Sequence, residues 1–210
     1  VGAWLAFYAR VFGQEVRAAL PPRLLHLFAS PRLASRAPTR CCRPPLCAQG
    51  YRMRDEDIDE ARRNPDHDGG IRTAVNAWFA DPAAAKARYG PIASWDTLEV
   101  TNMEILFIDR DDFNEDLSCW NVSSVVNMSS MFCGAISFDG DLSRWNVSNV
   151  VNMSYMFADA TSFDGNLSRW NVSNVKHMSC MFDGATSFAG NLSRWNVSSV
   201  VNMSYMFNRA

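Results

Sequence analysis

The sequence predicts an α/β fold built as a solenoid, in which strand-plus-short-helix units stack behind an N-terminal helical cap. Three observations predict it. From Trp95 onward one unit of 25 residues recurs to the end of the chain, and self-similarity at a fixed period marks an array whose units bury their apolar faces on one another. Inside the unit, hydrophobic residues follow two periods, one near two and one near 3.6. A pair of punctuated helical segments precedes the first copy.

The chain before the array divides into three. Residues 1–54 hold nine arginines and a single acid, Glu15. They sustain no hydrophobic period, and read as a disordered or leader-like segment. Residues 55–70 form an acidic linker. Its Asn64-Pro65-Asp66-His67-Asp68-Gly69 opens like a calcium loop, but the twelfth position, which needs a bidentate glutamate, carries Val75. A solvated turn is the reading there. Residues 71–94 read as the cap. Ile71, Ala74, Val75, Trp78 and Phe79 fall on one helical face. Asp81-Pro82 supplies an N-cap with proline in the first turn, and Gly90-Pro91 a stop.

Aligned on tryptophan, the array comprises units 95–119, 120–144, 145–169, 170–194 and a truncated 195–210. One reads WNVSNVVNMSYMFADATSFDGNLSR. Met153, Met156, Phe157 and Ala160 have the spacing of an inward helical stripe. Trp145 and Val147 alternate with Arg144, Asn146 and Ser148, the pattern of a strand buried on one face, with Gly165 in the connection between the two elements. Leu142, Trp145 and Val147 occupy the apolar places of the L-x-x-L-x-L pattern, so the solenoid is leucine-rich-repeat-like. The asparagine of that pattern would fall at Val150, which leaves Asn152 or Ser148 to satisfy the turn.

The unit W-[ND]-V-S-[NS]-V-x-N-M-S-x-M-F, continuing to S-F-x-G-[ND]-L-S, resembles the repeat of the BspA-like leucine-rich-repeat surface proteins. The likeness covers residues 95–210, and the lead-in from Ile71 resembles the segment that often precedes such arrays. It implies an exported or cell-surface protein with adhesion or binding roles and no enzymatic activity. The first unit departs most. Thr97-Leu98-Glu99 replaces V-S-[NS], Glu104-Ile105 the serine pair, and Asp109 to Asp112 the G-A region, as in an end repeat.

Charge and composition narrow the function. Residues 95–210 carry thirteen acids against six bases, which argues against a nucleic-acid partner. No apolar run is long enough to span a bilayer. Cys41, Cys42 and Cys47 lack a second pair at metal-ligand spacing, and Cys119, Cys133 and Cys180 fall in different columns of the repeat, so neither a metal site nor a disulfide ladder is expected. His26, His67 and His177 lie in unrelated contexts, and no nucleophile elbow or phosphate loop occurs; catalytic residues and cofactors are expected to be absent. Nine Asn-x-Ser sequons, Asn121 and Asn166 among them, follow from the repeat itself.

Recognition is sought in columns that packing leaves free. Arg144, Arg169 and Arg194 recur beside Asn146, Asn171 and Asn196, a candidate binding face. Its stacked like charges call for relief by an anionic ligand, by Asp141, or by stacking over the tryptophans. Tyr155 and Tyr205 share a variable column with Ile105, Ser130 and Cys180. Val126, Val151, Lys176 and Val201 form another. Two functional classes follow: a scaffold for a protein or glycan ligand, and a purely structural array without one, with an enzyme accessory domain a lesser reading. Met203, Met206 and Phe207 have no following unit, so end-to-end self-association is expected there.

Overall fold

The computed structural model describes residues 52–54 and 70–210. The leader-like reading of residues 1–51, most of the acidic linker, Cys41, Cys42, Cys47 and the loop from Asn64 to Gly69 fall outside the described residues. Five elements with regular pairing precede or open the array: β1 (Arg52–Arg54), α1 (Ile71–Ala80), α2 (Pro82–Tyr89), a 3-10 turn (Ile92–Ser94) and β2 (Asp96–Glu99).

The helices obey local rules. Asp81 accepts hydrogen bonds from the N–H groups of Ala83 and Ala84, both at 3.0 Å, with Pro82 at the first helical position. Gly90 ends α2 at φ +76°, a left-handed conformation that glycine adopts without steric penalty. Ile71, Ala74 and Val75 are buried, which places Val75 in a helix rather than a cation loop. Trp78 meets Trp95 edge-on at 6.2 Å and Phe79 meets Phe113 at 5.6 Å, so α1 lies on the first unit.

One part of the leader-like segment is structural. Arg52–Arg54 pairs in parallel with β2, in register Arg52 with Asp96 and Arg54 with Glu99, and Met53 is fully buried. β1 thus continues the stack on the side preceding the first unit.

Within the array the backbone differs from the expected strand and helix. The strand alternation around Trp145 becomes two successive turns, closed by Trp145 N–H to Leu142 C=O at 3.1 Å and Val150 N–H to Val147 C=O at 3.0 Å. Parallel pairing contracts to one bridge per unit, running Asn102, Asn127, Asn152, His177, Asn202. The helical stripe becomes a run of turns with a left-handed residue at each of two positions: Ile105 and Asp109, Ser130 and Gly134, Tyr155 and Asp159, Cys180 and Gly184, Tyr205 and Arg209.

This alternation points every second peptide along the stack. Met103, Ile105, Phe107 and Asp109 donate their N–H groups to the carbonyls of Asn127, Ser129, Met131 and Cys133 at 2.8–2.9 Å. The same four peptides then donate, from Met128, Ser130, Phe132 and Gly134, to the unit beyond. Four columns of head-to-tail amides thus run through the array with all N–H groups facing the following unit. At their carbonyl end, a guanidinium nitrogen of Arg72 on α1 donates to Glu104 C=O at 2.7 Å.

Side chains inside the turns repeat with the backbone. Phe107, Phe132, Phe157, Phe182 and Phe207 stack at 5.4–5.6 Å, and a second column joins Phe113, Phe138, Phe163 and Phe188 at 5.9 Å. Gly165 has a packing role rather than a flexible one, because a Cβ there would lie 2.7 Å from the Phe163 ring. Asn152, in the bridge column, accepts from Ser154 N–H at 3.0 Å, an Asx turn that satisfies the backbone where the leucine-rich pattern offers none. At the last unit Met206 and Phe207 are buried and Met203 is partly buried, with Phe207 stacked on Phe182 at 5.4 Å. Val201 and Tyr205 remain exposed there.

Candidate functional site

Each tryptophan of the array is an anchor. Its ring is buried, and from Trp120 onward its indole N–H donates to the carbonyl 28 residues earlier: Trp120 to Ile92, Trp145 to Leu117, Trp170 to Leu142, Trp195 to Leu167, at 2.8–3.0 Å. With Trp170 fixed inward, Arg169 before it and Asn171 after it are exposed. The same holds for Arg144 and Asn146 around Trp145, and for Arg194 and Asn196 around Trp195. The six residues of the expected face thus form two parallel rows, carried on turn corners instead of strands.

Between the corners at Trp170 and Trp195 the rows enclose a groove of about 350 Å³, lined by Ser168, Arg169, Trp170, Asn171, Val172, Arg194 and Asn196. Its polarity is one-sided. The side-chain oxygens of Asn171 and Asn196 accept from Ser173 and Ser198 N–H at 3.2 Å, which leaves their amide nitrogens directed to other uses. An arginine offers only donors. The arginine and asparagine side chains of the groove therefore offer mainly hydrogen-bond donors.

Neither internal source of relief reaches Arg169 or Arg194. Asp141 is engaged by Ser143 N–H at 2.9 Å. The rings of Trp145, Trp170 and Trp195 stack on one another at 6.4–6.5 Å, with their planes nearly parallel. Arg169 and Arg194 make no ion pair and no ring contact with any described residue.

Charge is distributed unevenly along the array. Residues 95–119 carry eight acids and one base, residues 170–194 one acid and two bases, and residues 195–210 no acid and one base. The column that holds Asp116 and Asp141 in the early units holds Asn166 and Asn191 later. The overall negative charge belongs to the first unit, and the Arg169–Arg194 groove lies away from it.

The Tyr155 and Tyr205 column is exposed, both residues having φ near +55°, while Cys180 within it is buried. A hydrogen bond with Cys180 raises the Tyr155 phenol above its ordinary pKa, aided by the charge of that thiol. Cys133 is likewise raised, by burial first and then by Asp109 and Asp159. His177 is exposed in the bridge column. Cys119, Cys133 and Cys180 are free thiols.

A second concavity, of about 400 Å³, lies between the cap and the first unit, where Trp78, Phe79 and Pro82 face Asp109, Asp111, Asp112 and Glu115. Arg110 covers Phe79, its guanidinium carbon 4.3 Å from the ring centre. Sequence reasoning passed over it because its walls come from different elements. The acidic divergence of the first unit was the available signal. No described helix is long and apolar enough to cross a membrane.

Residues 73–178 and 165–210 match the family model described as "Mycoplasma protein of unknown function, DUF285". The chain belongs to that family. No curated protein and no solved structure matches it.

Proposed function

We propose that this member of the DUF285 family is a non-catalytic binding scaffold, a leucine-rich-repeat-like solenoid of the BspA-like surface type that presents a protein or glycan ligand with its Arg/Asn rows outside the cell. One observation carries the reading. The same exposed arginine and asparagine recur at the same corner of successive stacked units and line a groove in which Arg169 and Arg194 have no described partner. Repetition by itself requires only the buried columns; nothing in the packing requires a guanidinium at the corner. Rigid elements holding rows of polar side chains in register suit recognition of an extended ligand.

The test is capture from a panel of immobilised glycans and extracellular proteins. The intact chain is expected to retain a ligand, and a variant combining Arg169→Ala with Asn171→Asp, which keeps the acceptor for Ser173 N–H, is expected to lose it while unfolding at a nearly unchanged temperature. Equal capture by both would move the binding face elsewhere on the array. A chain that captures nothing would favour the structural array.

A further inference from the structure

We infer that the ligand of these rows is an acidic polysaccharide lying along the stacking axis, its carboxylate or sulfate groups held by Arg169 and Arg194. The inference rests on the reading of the rows as the binding face and adds the chemistry of what they bind. Four properties of the groove select that class.

The first is the donor excess. Two guanidiniums and two asparagine amides, with the asparagine oxygens already accepting from Ser173 and Ser198, fit a partner rich in acceptors. Planar guanidiniums meet carboxylate or sulfate oxygens in pairs, and the asparagine amides suit hydroxyl oxygens between them.

Second, the arginines are uncompensated. Neither contacts a described acid, and the acids that flank the equivalent corner of earlier units are replaced by Asn166 and Asn191. Holding two like charges in register is unfavourable unless a counter-charge arrives.

Third, the groove offers no exposed ring. Trp170 and Trp195 are 3% and 5% exposed, so a base has no stacking platform and a neutral sugar no aromatic surface to cover. The acid-rich first unit further repels a long nucleic acid. Fourth, the groove is a row. Equivalent rings of successive units lie 6.4 Å apart, a repeat on the scale of one sugar ring, which favours a linear polymer over a compact anion.

The experiment measures binding of the intact chain to heparin, polygalacturonate, neutral dextran, poly-glutamate and single-stranded DNA at low and high salt. Three proteins are compared: the unaltered chain, a double variant R169Q/R194Q, and Lys176→Gln as a control on another exposed column. Heparin or polygalacturonate should bind, with affinity rising with oligosaccharide length and falling with salt. The double variant should lose at least about tenfold, consistent with two charge-assisted contacts, and the Lys176 control less than about twofold. Sulfate and carboxylate sources are separated by whether heparin or polygalacturonate binds more tightly at equal charge.

Equal loss in the Lys176 variant, or equal affinity for poly-glutamate or DNA, overturns the inference by reducing it to net charge. Binding of neutral dextran at the same arginines overturns the acidic class but leaves the face. Failure of both acidic polysaccharides overturns the inference outright, while the capture panel decides separately whether the face binds anything.

Discussion

The guanidinium of Arg72 closes on the main-chain carbonyl of Glu104 at 2.7 Å, bringing a positive charge to the carbonyl end of the amide columns. A half-buried hydrogen bond from a charged donor contributes about 1.5–3 kcal/mol. Arg72→Met, which keeps much of the apolar stem, is expected to lower unfolding free energy by that order in a urea titration. Amide exchange should accelerate first between Met103 and Asp109 and hardly at all beyond Asn152. Uniform acceleration along the array would show that Arg72 does not act as a local cap.

Asp159 and Gly184 form a size-matched pair in successive units. Gly184 has φ +70°, and a Cβ there would run into the Asp159 carboxylate. Gly134 stands in the same relation to Asp109. Gly184→Ala is expected to cost about 1–2 kcal/mol from the left-handed backbone alone, and more from the collision. Adding Asp159→Ala should recover the collision part only. A double variant no more stable than Gly184→Ala would show that the aspartate yields without cost. The exposed pairs of Arg209 with Asp159 and Asp183 enter little into this balance.

Ile105 is a branched residue held at φ 55° and 46% exposed. Its side chain makes the backbone conformation costly while about half of its surface stays in solvent. Ile105→Gly is therefore expected to raise stability by about 1 kcal/mol, the left-handed penalty being partly offset by the entropy of a more flexible unfolded chain. The thermal midpoint reads the change. A fall in place of a rise would show that the isoleucine side chain holds the first unit together.

The Cys133 thiol is raised by burial and then by the charges of Asp109 and Asp159. A raised thiol keeps its proton to higher pH, so its thiolate fraction near pH 8 is below that of an ordinary cysteine, and alkylation should be slow there and accelerate only above its usual range. Asp159→Asn removes one of the raising charges and should move the rate profile toward lower pH. Iodoacetamide kinetics in a Cys119→Ser background, followed at Cys133 by mass spectrometry, measure this. A profile indifferent to Asp159 would leave burial and Asp109 as the causes.

What the sequence revealed depended on how local the cause was. The Asp81 cap, Pro82 and the Gly90 stop are settled within a few residues, and the structure has them where those residues stand. Burial of Met153, Met156, Phe157 and Ala160 was legible because any chain that places them on one side shows that spacing. The backbone that does so was not legible. Positive φ falls on Ile105, Ser130, Tyr155, Cys180 and Tyr205, where no glycine announces it, and the N–H groups of the first four find their acceptors in the next unit instead of one turn away. Met53 was hidden for the same reason, since its strand partner lies across the linker. The Arg and Asn rows were visible because an exact period puts equal positions in line; the groove between them depends on turn geometry that the period leaves open.

The single direction of the amide columns bears on how the chain acquires its structure as it is synthesised. A completed unit leaves a set of ordered donors facing the residues that leave the ribosome next. Each new segment supplies carbonyls to a surface already in place, so growth from the N-terminus follows the order of translation and needs no strand from later in the chain. The helices and β1 are made first and occupy the opposite edge, where no such template exists. A circular permutant that places the cap after the array would have to nucleate its first unit unaided, and slow refolding with greater aggregation is the expected mark of that reversal.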